Sequence, residues 1–351
     1  MKRIILTGGG TAGHVTPSLA LLPGLKRAGY EVFYIGSKNG IEKDIMAGTG
    51  VPYYGISAGK LRRYLDLRNI TDVFRVLRGF GEAARLVREL KPDAVFSNGG
   101  FVAAPVVAAA KMAKVKAAVH ESDITPGLAN RLSIPFADVV CVNFPETAAR
   151  IRGGKAVLTG CPIRPELFGG SKKAGAELCA FHDTKPVLLA IGGSLGSVKI
   201  NEALRASLGR LCADFNVAHV CGKNNAAQEI KARGYRQFEY VTGELPHLFA
   251  YADAVISRAG ANTIFELLAL QKPNLLIPLS KKASRGDQIL NAESFRRQGF
   301  SAVLNEEELT PESLAEAAAD LYVHREKYRR AMSACPVKNG AEEVLKVIKA
   351  L

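Results

Sequence analysis

The chain has 351 residues, of which 48% are hydrophobic and 23% charged, with a formal net charge of +14. That length exceeds one ordinary core and suits two domains of roughly 150–180 residues, and the composition excludes a disordered or fibrous chain. The charge favours an anionic partner, and alone it does not choose among nucleic acid, anionic lipid and a phosphorylated substrate.

The N-terminus opens directly into Lys2-Arg3-Ile4-Ile5-Leu6-Thr7, which reads as a first strand rather than a signal peptide. Further buried strands are predicted over Glu31–Ile35, Ala94–Ser97, Ala117–His120 and Val139–Val142. The second half repeats the pattern at Val187–Ile191, Val217–Cys221, Ala254–Ser257 and Asn274–Pro278. Strand, loop and helix alternate throughout, which predicts α/β layers around parallel sheets. The most apolar stretch, Phe101–Ala110, is far too short to span a bilayer. Six cysteines include no CxxC pair and none stands near histidines at metal-ligand spacing, as expected of reduced thiols in a cytosolic protein.

Two stretches follow one plan: KRIILTGGGTAGHVTPSLALLPGL (Lys2–Leu25) and KPVLLAIGGSLGSVKINEALRASL (Lys185–Leu208). A second echo pairs PDAVFSNGG (Pro92–Gly100) with ADAVISRAG (Ala252–Gly260). The repeat is therefore of domain size. Gly, Pro, Ser and Lys accumulate between Gly160 and Gly170, which places the boundary there. The expected domains are 1–163 and 164–340, with a final helix over 341–351 packing back on the first.

Gly8-Gly9-Gly10-Thr11-Ala12-Gly13 satisfies GxGxxG after a strand, where glycine lets backbone approach a phosphate at a helix N-terminus. A dinucleotide site also needs an acidic residue at the end of the second strand. Here that strand ends Tyr34-Ile35-Gly36-Ser37-Lys38, with no carboxylate, so phosphate binding survives and the dinucleotide does not. His14 follows at the start of the next helix, whose positive end keeps an imidazole neutral and able to take a proton from a hydroxyl. A histidine in that place can equally do no more than bond the backbone. Gly192-Gly193-Ser194-Leu195-Gly196-Ser197 is the second such loop, with the Ser194 hydroxyl suited to a phosphate or a sugar. Ser257-Arg258-Ala259-Gly260 opens a third helix start at Ala261 and Asn262, and Glu266 about two turns along can accept both ribose hydroxyls. Gln288 and Asn291 downstream are of the kind that read sugar hydroxyls, and Arg164 is a cation near the domain seam. No DxD motif occurs, so sugar transfer here would rely on helix dipoles and arginine, without a metal. Between Lys60 and Lys91, basic residues alternate with Leu61, Tyr64, Leu65, Ile70, Phe74, Leu77 and Phe80. That pattern fits docking on an anionic membrane surface or an ordinary solvated helix, and no nucleic-acid motif accompanies it.

GGGTAGH, HESDITPGLANR (His120–Arg131), GGSLGS, SRAGANTIFE and Gln288…Asn291-Ala292 together resemble the MurG family, in this order and across nearly the whole chain. The resemblance implies a GT-B fold, two Rossmann-like domains with parallel sheets facing across a cleft. It implies inverting transfer of GlcNAc from UDP-GlcNAc to the C4 hydroxyl of muramoyl-pentapeptide-diphospho-undecaprenol, lipid I, in peptidoglycan synthesis. No cofactor is expected, and the enzyme would be peripheral on the cytoplasmic face of the membrane, beside other cell-wall synthesis proteins. By position, Thr11, Ala12 and Gly13 match the acceptor-side loop, and His14 matches the histidine assigned to catalysis. Arg164, Ser194, Ala261, Asn262, Glu266 and Gln288 match the donor set, and Val241 a position whose backbone reads uracil. HESD departs from the commoner HEQN, which puts Asp123 beside the sugar as a second candidate base. Asp287 replaces a common Gln. The alternatives are a UDP-GlcNAc 2-epimerase or glycolipid glucosyltransferase of the same fold, and a basic binding protein without catalysis.

Overall fold

The computed structural model describes residues 1–59, 68–193, 196–282 and 284–351. The chain divides into two compact units, Met1–Arg164 with Asn339–Leu351, and Pro165–Lys338. Arg164, placed by the sequence at the start of the second domain, thus falls in the first unit, as do Asn339 and Gly340.

The first unit is a parallel sheet of β1 (Lys2–Thr7), β2 (Tyr30–Ser37), β3 (Tyr53–Ile56), β4 (Ala94–Ser97), β5 (Lys116–Glu121), β6 (Val139–Val142) and β7 (Ala156–Leu158), in the order β3-β2-β1-β4-β5-β6-β7. Successive side chains of β1 serve opposite faces. Ile4 and Leu6 join Leu21, Leu22 and Leu25 of the helix Thr16–Arg27, while Ile5 joins Val106 and Val107 of the helix Ala103–Met112. Burial on both faces explains why these strands read as unbroken apolar runs. The last helix, Ala341–Ala350, adds Val344, Leu345 and Ile348 to the first of those clusters. It approaches so closely that a Cβ on Gly24 would collide with Leu345.

The second unit holds β8 (Val187–Ile191), β9 (Asn216–Val220), β10 (Tyr235–Phe238), β11 (Ala254–Ser257), β12 (Asn274–Leu276) and β13 (Ala302–Val303), all parallel, in the order β10-β9-β8-β11-β12-β13. Leu188 and Ala190 of β8 pack with Ile200, Ala203 and Leu204 of the helix Val198–Ala206. Leu314, Ala318 and Leu321 of the helix Pro311–Val323 complete that cluster at helical spacing. The two sequence echoes land on equivalent strands, β1 with β8 and β4 with β11. In each sheet these two are neighbours, and the strand order reverses between them.

Four strands escape the sequence reading: β3, β7, β10 and β13. All are edge strands with partly exposed residues, and none is buried throughout. Asn274–Pro278 shortens to Asn274–Leu276, the three residues that pair with Val255, Ile256 and Ser257 of β11.

Leu345 is buried against the helix Thr16–Arg27, so Leu345→Ala should destabilise the first unit by about 2–5 kcal/mol through the cavity it leaves. The check is the urea unfolding transition of that unit. An unchanged midpoint would mean that the C-terminal helix is not part of its core.

Candidate active site

The end of β1 turns through Gly8, Gly9 and Gly10 into a short 3-10 turn, Ala12–His14, ahead of the helix Thr16–Arg27. His14 therefore closes that turn and does not start the long helix. What orients it is a hydrogen bond: Nδ1 lies 2.9 Å from the backbone oxygen of Asn98, just beyond the end of β4. A carbonyl only accepts, so Nδ1 carries the proton in this bond, which in a neutral ring makes Nε2 the basic nitrogen. Asn98 is held in turn, its N–H donating to the Thr7 carbonyl and its Nδ2 to Ser18 Oγ. Thr11 and Gly13 are exposed and Ala12 is half-buried.

β2 itself ends without a carboxylate, as the sequence reads, but one reaches that strand end from farther along the chain. Glu42, on the helix Ile41–Ala47, folds back onto that strand end. Its carboxylate accepts from Ser37 N–H at 2.9 Å, Ser37 Oγ at 2.5 Å and Gly10 N–H at 3.1 Å. Glu42 is fully buried. That carboxylate is engaged inside the protein by these three donors.

Asp123 lies on the loop after β5. Its N–H donates to Glu121 Oε1 at 3.0 Å, while Gly127 N–H and Asn130 Nδ2 donate to Glu121 Oε2 at 3.1 and 2.8 Å. Both ends of the loop thus close on one buried carboxyl. Burial pushes that carboxyl up to about 7, against the three donors that pull it down. The neighbouring His120, bonded through Nε2 to Asn143 Oδ1 at 2.9 Å, is pushed down to about 4 by burial. It stays neutral and serves the core.

In the second unit the helix Ala261–Ala269 follows directly on β11, with Gly260 as its N-cap. Ala261 and Glu266 are buried and Asn262 half-buried. Asn291 is buried, and its Nδ2 donates to the Ala259 carbonyl at 3.3 Å, tying the helix Asp287–Arg297 to this turn. Gln288 Oε1 accepts from Leu279 N–H at 3.0 Å, which fixes its amide beside the end of β12. Asp287 is paired with Arg285 at 2.6 Å. Val241 sits half-buried in the loop that follows β10. Arg164, half-buried, belongs to the first unit while its proposed co-workers belong to the second. Ser194 and Leu195 lie outside the described residues.

Sequence reasoning missed the anchor of this region. Arg258 donates to Ser197 Oγ at 2.6 Å and to the Ile277 carbonyl at 3.1 Å, and pairs with Glu306 at 2.5 Å. Lys199 reaches Glu306 from the other side at 3.2 Å. Burial pushes the Glu306 carboxyl up, and the two cations outweigh it and hold it below the ordinary range. Ser197 is the N-cap of the helix Val198–Ala206, so Arg258 ties the second glycine-rich loop to β11. Among the described residues, no group of three or more His, Cys, Asp or Glu is placed to hold a metal ion.

Residues 4–142 match the glycosyltransferase family 28 N-terminal domain, and residues 187–348 the glycosyltransferase family 28 C-terminal domain. A Clostridium botulinum UDP-N-acetylglucosamine--N-acetylmuramyl-(pentapeptide) pyrophosphoryl-undecaprenol N-acetylglucosamine transferase is 56% identical over 350 residues, covering 99% of each chain. A Clostridium perfringens protein of the same name is 55% identical over 348 residues, covering 99% of this chain and 98% of its own. Among solved structures, Acinetobacter baumannii MurG superposes with a TM-score of 0.77 at 25% identity, covering 100% of both chains. A Neisseria meningitidis UDP-GlcNAc 2-epimerase bound to UDP-GlcNAc superposes at 0.72 with 12% identity, also over 100% of both, which is a likeness of fold.

The raised Glu121 carboxyl sets a pH dependence. The folded chain keeps a proton there that the unfolded chain releases near 4.5. The stability this proton confers is complete below that value and is lost as pH rises through about 7. Glu121→Gln should remove this loss. Urea unfolding of both forms between about pH 5 and 8 should show wild type losing ground against the variant as pH rises. Parallel curves would contradict the assignment.

Proposed function

The chain belongs to glycosyltransferase family 28, and on that premise we propose a reaction and a division of labour between its two units. It is an N-acetylglucosaminyltransferase of peptidoglycan synthesis, moving GlcNAc from UDP-GlcNAc to lipid I to form lipid II. Its two units are α/β with parallel sheets, as in the GT-B glycosyltransferases.

The chemistry is assigned as follows. His14 Nε2 takes the proton of the acceptor C4 hydroxyl while that oxygen attacks the anomeric carbon. The new C–O bond forms as the bond to the UDP phosphate breaks on the opposite face, so configuration inverts and UDP leaves with the electron pair. The observation that carries this is the Nδ1–Asn98 hydrogen bond, which supports a basic Nε2 at the glycine-rich turn. Thr11, Ala12 and Gly13 serve the acceptor side. Ala261 and Asn262 offer helix-start N–H groups to the departing diphosphate in place of a metal, aided by Arg164 and Ser194. Glu266 holds the ribose, Gln288 the GlcNAc hydroxyls, and the Val241 backbone the uracil. Asp123 lies beside the sugar as a secondary group.

The enzyme would work as a peripheral protein on the anionic cytoplasmic face of the membrane, beside other cell-wall synthesis proteins. Phe74 and Leu77 are 68% and 62% exposed on the helix Arg68–Leu90, next to Arg75 and Arg78, which supports a docking face. Lys60–Leu67 of that basic stretch lie outside the described residues. Among the described residues, no helix is long and apolar enough to cross a membrane.

Labelled UDP-GlcNAc supplied with lipid I should yield labelled lipid, and label passing only to water or to an epimer would overturn the reading. His14→Ala should lower kcat by about 100-fold or more, and Asp123→Asn should be milder. If Asp123→Asn does the greater damage, His14 is not the base.

A further inference from the structure

The buried carboxylate of Glu42 has no part in the scheme above, yet its position is costly to build. A Cβ on Gly9 or Gly40 would run into the carboxylate, and one on Gly36 first into the Tyr53 ring and hydroxyl and then into the Glu42 side chain at 2.9 Å. Space is thus cleared for Glu42 by the glycine-rich turn and the entry to the helix Ile41–Ala47, and at the end of β2 for Tyr53 and Glu42 together. Burial pushes the carboxyl up, but the donors from Ser37 and Gly10 outweigh it and hold it below the ordinary range. A buried anion with three donors is stable only while those donors stay in place. Two come from Ser37, on the rigid strand β2, and the third is Gly10 N–H. Gly10 has a φ of +85°, and Gly8 on the other side of the turn accepts from Tyr34 Oη at 2.9 Å. The glycine-rich turn is therefore pinned to β2 through a charge-assisted bond and a tyrosine.

We propose that Glu42 is a positioning residue for transfer: its buried carboxylate, bonded to Gly10 N–H, sets the turn that presents Thr11, Ala12 and Gly13 to the acceptor diphosphate and carries His14. This rests on the assignment of that loop to the acceptor. The Gly10 N–H is consumed by the protein, which leaves binding of the acceptor to the residues after it. Loss of the charge would loosen the turn and with it the His14 ring, while the donor-binding residues of the second unit would be untouched.

The test compares wild type, Glu42→Gln and Glu42→Asp in the full chain. Gln keeps the shape and removes the charge; Asp keeps the charge on a shorter stem. Hydrogen exchange is read for peptides covering residues 7–15, and steady-state transfer is measured with acceptor and donor varied separately. The Gln variant should exchange faster in that segment and show a rise of about tenfold in acceptor KM with a lower kcat, the donor KM staying within about twofold. The Asp variant should fall between. Unchanged exchange in the Gln variant would overturn the proposal, and so would donor and acceptor constants worsening together, as a merely structural role predicts. Absence of product in wild type would sink the transferase reading instead, while the exchange result would still decide whether Glu42 fixes the turn.

Discussion

In each sheet the first and fourth strands of the unit lie side by side, and the chain leaves them in opposite directions. The strand order reverses there, and the carboxyl ends of strands at such a point are where α/β proteins bind ligands. In each unit, side-chain hydrogen bonds hold the loops of these two strands together. In the first, the His14 ring bonds the Asn98 backbone beyond β4. In the second, Arg258 beyond β11 reaches Ser197, the N-cap after β8. His14 and the helix start at Ser197 are held by these ties, and the packed layers behind them supply rigidity.

Three buried carboxylates show how the same cost of burial is met in different ways. Glu42 has three donors but no cation, and Glu306 has Arg258 and Lys199. Both are held below the ordinary carboxylate range because these interactions outweigh desolvation. Glu121 also receives three hydrogen bonds, but Asp123 stands nearby with a like charge, and burial prevails. The outcomes suit different tasks. Glu42 and Glu306, held below the ordinary range, fix loops, and Glu121, pushed up by burial, lies under the loop that carries Asp123.

The central strands and both glycine-rich turns were legible because burial on two faces leaves apolar runs and tight turns demand glycine. The repeat was legible for the same reason, since β1 and β8, like β4 and β11, meet the same constraint in each unit. Edge strands were not, because a strand such as Tyr235–Phe238 buries little and carries no pattern. Glu42 escaped notice because it lies five residues beyond Ser37 and returns to it only through the fold; the glycines at 9, 36 and 40 were its one trace. Glu306 sits in a run of three glutamates with nothing to mark the one that meets Arg258. Long-range pairing of charges is a property of the folded chain, and periodicity does not report it.

The central claim is that the second unit takes the nucleotide and the first unit's glycine-rich turn takes the acceptor. Hydrogen exchange of the whole chain with and without UDP tests it most directly. UDP should slow exchange over Ser257–Glu266 and leave Gly8–His14 unchanged. Slowing at Gly8–His14 with no change over Ser257–Glu266 would contradict the account.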